Sequence, residues 1–207
     1  MSKWFYEILY SRFHAPWDIG PRQELVELIE SGRIQPCRAI ELGSGTASNV
    51  VFLAQHGFDV TAIDFAQAAI ELGRKRAREA GVSLVFIQDD LTRLQHVQGS
   101  YDLLVDYGTL DDIPPHRRDL YMQNVIPLAN PGSLFLLYCF EWELRWWERL
   151  LTRLFSTFGS VMEPGEVEQR FSQYYDIEKI AEYSNDTGWP RGSAVYLMTR
   201  QLGESDG

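Results

Sequence analysis

Residues 39–64, AIELGSGTASNVVFLAQHGFDVTAID, hold two short apolar runs with a glycine-rich turn and a helical stretch between them. Ala39–Leu42 is apolar apart from one acid, Glu41, and Gly43 and Gly45 follow at once. From Thr46 the spacing becomes helical, with Val50, Val51, Leu53 and Ala54 on one side. His56-Gly57 stops that helix, and Val60–Ile63 forms a second apolar run ending on Asp64. The order is strand, tight turn, helix, turn, strand, carboxylate. A glycine turn lets backbone pass close to a ligand, and the following helix points its free N–H groups to the same place. A carboxylate at the tip of the next strand suits a ribose diol, because it accepts a hydrogen bond from each hydroxyl.

The same alternation extends in both directions. Pro21 opens a helix over PRQELVELIESG, with Leu25, Leu28 and Ile29 as its apolar stripe and Gly32 at its end. Residues 66–80 predict a helix that turns Ala66, Ala69, Ile70, Gly73 and Ala77 inward and shows Arg74, Lys75, Arg76 and Arg78 to solvent. Strands are expected at 83–87, 101–105 and 133–138, the last preceded by a turn at Asn130-Pro131-Gly132. A helix from about Pro114 to Val125 opens on His116, Arg117 and Arg118, expected to be exposed. Residues 174–184 and 192–200 are two further strands, joined by a loop containing Gly188-Trp189-Pro190 and paired antiparallel. The fold expected is α/β: a doubly wound, Rossmann-like seven-stranded sheet, mostly parallel with an antiparallel C-terminal strand.

At 207 residues and 45% hydrophobic, the chain fits a single domain spanning 1–207. Its net charge of −10 opposes general affinity for nucleic acid or anionic lipid, both polyanions. Cys37 and Cys139 are too few and too scattered for a disulfide framework or a metal knuckle, so no metal and a reduced, cytoplasmic setting are expected. The opening MSKWFYEILYSRFHAPWD has neither the basic start nor the clean apolar core of a signal peptide. No run approaches the roughly 18 apolar residues of a membrane span, and no membrane partner is expected.

Two cofactor classes compete for the glycine turn. A dinucleotide site asks for G-x-G-x-x-G with an acid about 20 residues on. Gly43, Gly45 and Asp64 satisfy that, but the third glycine position is Ser48. The later segments decide. With Glu41 before the glycines, Asp64, Gln88-Asp89-Asp90-Leu91 and the turn Asn130-Pro131-Gly132, residues 21–200 resemble the class I S-adenosylmethionine-dependent methyltransferases. The resemblance implies that Glu41, Gly43 and Gly45 embrace the methionine part of S-adenosyl-L-methionine and that Asp64 takes the ribose. It further implies that Asp90 takes the adenine amino group beside Leu91, and that Asp106 lies near the sulfonium. The family's usual third glycine is Ala47 here. Pro16-Trp17-Asp18-Ile19-Gly20-Pro21 is similar to the small-molecule branch with thiopurine, thiol and halide methyltransferases, although Ser44 replaces that branch's usual cysteine. That implies an N-terminal lid over residues 1–20, with Trp17 closing on the cofactor. After the fifth strand, the Trp- and Leu-rich segment opening at Glu141 is expected to form a helical insertion or lid over 141–172.

Methyl transfer from a sulfonium is an in-line displacement, so alignment and exclusion of water are what a protein chiefly contributes. The candidates for acid–base work are Asp111, Asp112 and His14. Tyr107, Tyr138, Phe140 and Trp142 are candidate aromatic pocket residues, and Arg191 a candidate for an anionic acceptor. The expected function is methylation of a small molecule at sulfur, nitrogen, oxygen or halide. Methylation of protein or RNA, a non-catalytic S-adenosylmethionine-binding role, and a nicotinamide dehydrogenase are the alternatives, in that order. Nothing in the sequence bears on oligomeric state.

Overall fold

A computed structural model describes residues 3–12, 18–148, 161–185 and 190–202. Helix α1 (Lys3–Arg12) is followed by α2 (Gln23–Glu30), β1 (Arg38–Leu42), α3 (Ser48–Gln55), β2 (Asp59–Asp64), α4 (Gln67–Glu79), β3 (Val85–Gln88) and β4 (Tyr101–Tyr107). Then come α5 (Arg118–Val125), β5 (Ala129–Phe140), α6 (Glu166–Phe171), β6 (Tyr175–Ser184) and β7 (Gly192–Arg200). The seven strands form one sheet in the order β3-β2-β1-β4-β5-β7-β6. Strands β1 to β5 run parallel, and β7 is inserted antiparallel between β5 and β6.

Alternation along each central strand builds two cores, one per sheet face. Ile40, Leu104, Phe135, Leu137 and Tyr196 join the face covered by Tyr121 and Val125 of α5 and Val167 and Phe171 of α6. Ala39, Leu103, Val105, Leu136 and Val195 join the opposite face, under Leu25 and Leu28 of α2 and Val50 and Leu53 of α3. A register slip of one residue would exchange the two sets, so these patterns fix the pairing. Each fully buried aliphatic side chain contributes about 1.5–3 kcal/mol. Leu53, completely buried, therefore loses about 2–5 kcal/mol of stability on truncation to Ala.

Three local expectations are revised. The turn at Asn130-Pro131-Gly132 lies inside β5, as a bulge: Tyr101 and Leu103 on β4 face Ala129 and Leu134, so six residues of β5 lie against three of β4. Arg118 is fully buried rather than exposed, because Glu166 meets its guanidinium at 2.8 and 2.9 Å and three backbone carbonyls accept its other N–H groups. Arg76 is half-buried and leaves the solvated face of α4 to pair with Asp18. Of the helical insertion expected over 141–172, residues 146–148 and 166–171 are helical, and 149–160 lie outside the described residues. No described helix is long and apolar enough to cross a membrane.

Candidate cofactor and acceptor site

The strand order reverses between β1 and β4, and ligands of doubly wound sheets bind beyond the carboxyl ends of the strands at that point. A cavity of about 640 Å³ opens there, lined by residues from the tips of β1, β2, β3, β4 and β5 and by α1.

Its floor is the glycine turn. The Gly43 and Ser44 amides donate to the Ile63 carbonyl, at 2.9 and 2.7 Å, which ties the turn to β2. Gly43 sits at φ +81°, and a Cβ there would lie 2.1 Å from Thr109 Oγ1, so only glycine lets the two segments meet. Asp64 holds the turn from the other side: Oδ2 accepts from the Gly45 amide and Oδ1 from the Ala66 amide, each at 2.9 Å. Burial pushes its carboxyl up to about 6. Ala47 adopts φ +64°, the left-handed conformation that glycine takes without strain.

Glu41 is buried beside the turn. Oε1 accepts from Asn49 Nδ2 at 2.7 Å, while Oε2 has no hydrogen-bond partner among the described residues. Burial drives its carboxyl up to about 8. Asn49 in turn accepts the Arg22 amide on Oδ1 at 2.9 Å, so one amide side chain joins the start of α2 to Glu41. Ser44 Oγ is a second buried atom without a partner among the described residues, and Ser44 also lines the cavity.

Asp89 and Asp90 follow β3. Asp89 accepts the amides of Asp90, Gln95 and His96 and so shapes the loop. Asp90 Oδ1 accepts from the Thr92 amide and hydroxyl at 2.9 and 2.7 Å, and Asp90 and Leu91 both line the cavity. Asp106, at the tip of β4, is fully buried and does not line it. Its Oδ2 accepts from Tyr121 OH at 2.6 Å and its Oδ1 from the Thr109 amide at 2.8 Å, which fixes the turn presenting Gly108 and Thr109 to the cavity. Burial raises the Asp106 carboxyl to about 7.

The acceptor side is aromatic. Tyr107 and Tyr138 stack with centroids 5.3 Å apart, and Phe140 meets Tyr138 edge-on at 5.7 Å; all three line the cavity. Trp142 continues the row behind Phe140 without reaching the cavity. Arg191 does not reach it either: it pairs with Glu148 at 2.7 Å and lies over Trp142. Of the two candidate acids, Asp112 lines the cavity and accepts a short hydrogen bond from Tyr6 of α1, whereas Asp111 is buried behind it and accepts the Phe140 amide at 3.0 Å. Burial raises both carboxyls. His14 and Trp17 lie outside the described residues.

Helix α1 covers the cavity. Tyr6 packs edge-on against Phe65, and the Glu7 carboxylate accepts the Gln67 and Ala68 amides at 2.8 and 3.0 Å, capping α4. The sequence gives one local sign of the missed site residues: Asn49 is a polar side chain on the otherwise apolar, buried face of α3. Arg22, Tyr6 and Thr109 reach the site only through tertiary contacts and carry no such sign.

A doubly wound sheet whose reversal point carries a glycine turn, three carboxylates and a covered cavity is a nucleotide-cofactor-binding domain. Residues 39–132 match the family model described as a methyltransferase domain. The 2-heptyl-1-hydroxyquinolin-4(1H)-one methyltransferase of Mycobacteroides abscessus is 27% identical over 184 residues, covering 86% of this chain and 78% of that protein. A probable thiol methyltransferase of Arabidopsis thaliana is 27% identical over 129 residues, 61% of this chain and 57% of that one. Among solved structures, the N-methyltransferase NodS of Bradyrhizobium japonicum in complex with S-adenosyl-L-homocysteine superposes with a TM-score of 0.75 at 14% identity, covering 97% of this chain and 99% of that one. The chain carries a methyltransferase domain and is similar to S-adenosylmethionine-dependent methyltransferases of class I, which supports S-adenosyl-L-methionine as its cofactor. The residues fit that molecule: Glu41 Oε2 and Ser44 Oγ, beside the glycine turn, are buried polar atoms without a hydrogen-bond partner among the described residues.

Proposed function

We propose that the protein methylates a small, planar, largely apolar acceptor at an oxygen or sulfur atom. The observation that carries this is the covered cavity walled by Tyr107, Tyr138 and Phe140, which offers flat apolar surface beside the cofactor residues. Two relatives act in name on a hydroxyquinolone and on thiols, and both acceptor types fit such a wall.

Glu41 would receive the methionine ammonium, Asp64 the ribose, and Asp90 with Leu91 the adenine. Bound there, S-adenosylmethionine supplies an electrophilic methyl group on a sulfonium. The protein's residues do the rest. Tyr107 and Tyr138 align the acceptor face-on, and α1 excludes water through Tyr6 and Tyr10. Asp106 and Asp111 act beneath the surface, the first by fixing the 107–110 turn and the second by holding the Phe140 backbone. Asp112, which lines the cavity and whose carboxyl burial raises above its ordinary value, would accept the proton of a hydroxyl or thiol acceptor.

The test is a mass-spectrometric screen of hydroxyquinolines, phenols, thiols, amines and halides with S-adenosylmethionine. Methylated hydroxyl or thiol products support the proposal. Methyl transfer only to protein or RNA, or to none of the panel, contradicts it.

A further inference from the structure

Arg118, the first residue of α5, is fully buried, and neither it nor Glu166 lines the cavity. Its guanidinium makes five hydrogen bonds, as many as it has N–H groups. Nη1 donates to both Glu166 oxygens at 2.9 and 2.8 Å, Nε to the Ile113 carbonyl at 3.0 Å, and Nη2 to the Asp111 and Val161 carbonyls, each at 3.2 Å. Burial alone would raise the Glu166 carboxyl, but Arg118 and Arg170 hold it below its ordinary 4.5, so the pair is ionised. A buried ion pair adds little net stability by itself, because desolvation offsets the attraction and apolar side chains of similar volume can replace it. Holding three carbonyls in fixed places is what apolar side chains could not do.

Those places meet at one end of the cavity. Ile113 and Val161 line it, and so does Asp112, which lies between two of the carbonyls that Arg118 holds. Asp111 accepts the Phe140 amide on its carboxylate at 3.0 Å, and the Phe140 carbonyl accepts the Met162 amide at 2.9 Å, next to Val161. One guanidinium therefore sets the relative places of Asp112, Ile113, Phe140 and Val161. None of Glu41, Gly43, Asp64 and Asp90 lies in these segments. We propose that Arg118 is a positioning residue for the acceptor: with Glu166 it holds the wall formed by Asp112, Ile113, Phe140 and Val161, and thereby sets which acceptors fit. The proposal rests on the reading that this end of the cavity receives the acceptor, and adds to it the residue that shapes that end.

The test compares the wild type with the double variant Arg118→Met, Glu166→Met, which leaves neither charge buried alone, and with Arg118→Lys, which keeps the charge but lacks the planar fork. The readouts are calorimetric affinity for S-adenosylhomocysteine, amide hydrogen exchange followed by mass spectrometry, and methylation kinetics with 4-hydroxyquinoline and thiophenol. In the double variant, exchange is expected to quicken about tenfold in peptides covering 109–114, 139–142 and 161–163. Acceptor kcat/KM is expected to fall about 10- to 100-fold, the scale of a misplaced reactant. Exchange over 40–47 and affinity for S-adenosylhomocysteine stay at wild-type values. Arg118→Lys shows the same pattern with smaller changes, and carries the comparison alone if the double variant fails to fold. Unchanged exchange in those peptides, or unchanged acceptor kinetics, overturns the role of Arg118 and leaves the acceptor reading standing. Faster exchange over 40–47 together with weaker S-adenosylhomocysteine binding also overturns it, because the residue then supports the fold as a whole. A wild type that methylates neither probe overturns the acceptor reading, and the proposal falls with it.

Discussion

Asp18 and Arg76, 58 residues apart in sequence, form a two-pronged ion pair, and the same guanidinium donates to the Thr46 carbonyl at 2.9 Å. The segment leading into α2 is thereby bolted to the far side of the glycine turn. Arg76→Gln should lower stability by about 1–2 kcal/mol, the scale of a partly buried, hydrogen-bonded pair. Urea denaturation of both proteins measures it. The hydrogen bonds from Arg76 hold the Asp18 carboxyl below its ordinary 3.8, so the contribution is complete above that pH and lost as pH falls through the lowered value. The deficit of Arg76→Gln should therefore shrink in acid.

Glu41 titrates in the opposite sense. Burial raises its carboxyl from 4.5 to about 8, so the native chain keeps a proton that the unfolded chain has released. Its contribution is complete below pH 4.5 and disappears as pH rises toward 8. Asp64 and Asp106, raised to about 6 and about 7, act in the same direction. The ligand-free protein should lose stability between pH 5 and 8, and Glu41→Gln should flatten that slope in thermal melts. An ammonium on Glu41 favours the carboxylate, so S-adenosylhomocysteine binding should strengthen as pH rises toward 8 and release a proton. Titrations in buffers of different ionisation enthalpy count that proton. Glu41→Gln should release none.

Asp64→Ala leaves the Gly45 and Ala66 amides without their acceptor. Losing both should destabilise the fold by about 2–6 kcal/mol, at roughly 1–3 for each buried donor left unpaired. Weaker cofactor binding should accompany it. Asp64→Asn keeps one acceptor and should fall between the two. An Asp64→Ala protein with wild-type melting and wild-type affinity would remove Asp64 from both roles.

Ala47 offers a test of backbone strain. A left-handed alanine costs about 1–2 kcal/mol, and a buried methyl returns about 0.8 kcal/mol. Ala47→Gly should therefore unfold at an equal or slightly higher urea concentration than the wild type. Ala47→Val should unfold at a distinctly lower one, because a β-branched side chain is excluded from that conformation.

The sheet was legible because its strands are local objects. Strands β1 to β4 carry short, mostly apolar runs that glycine or aspartate follows within two residues, and the inward positions of α4, at Ala69, Ile70, Gly73 and Ala77, follow helical spacing alone. The glycine turn and the acids at the strand tips were legible for the same reason. What escaped depends on distant pairing. Arg118 reads as a surface residue until Glu166, 48 positions later, is placed over it. Arg76 reads as part of a solvated stripe until Asp18 arrives. Tyr6 and Asp112 are 106 residues apart, so neither predicts the other. Pro131 and Gly132 signal a turn, and only the pairing with β4 shows that the strand passes through it as a bulge.

The most direct test of the central claim, that the cavity over Glu41, Gly43, Asp64 and Asp90 holds the adenosyl cofactor, is calorimetric titration of the purified protein with S-adenosylhomocysteine, with NAD as comparator. One-site binding of S-adenosylhomocysteine in the micromolar range, absent for NAD and weakened by Glu41→Gln, is the predicted result. Tight binding of NAD, or S-adenosylhomocysteine binding that Glu41→Gln and Asp64→Ala both leave untouched, would contradict it.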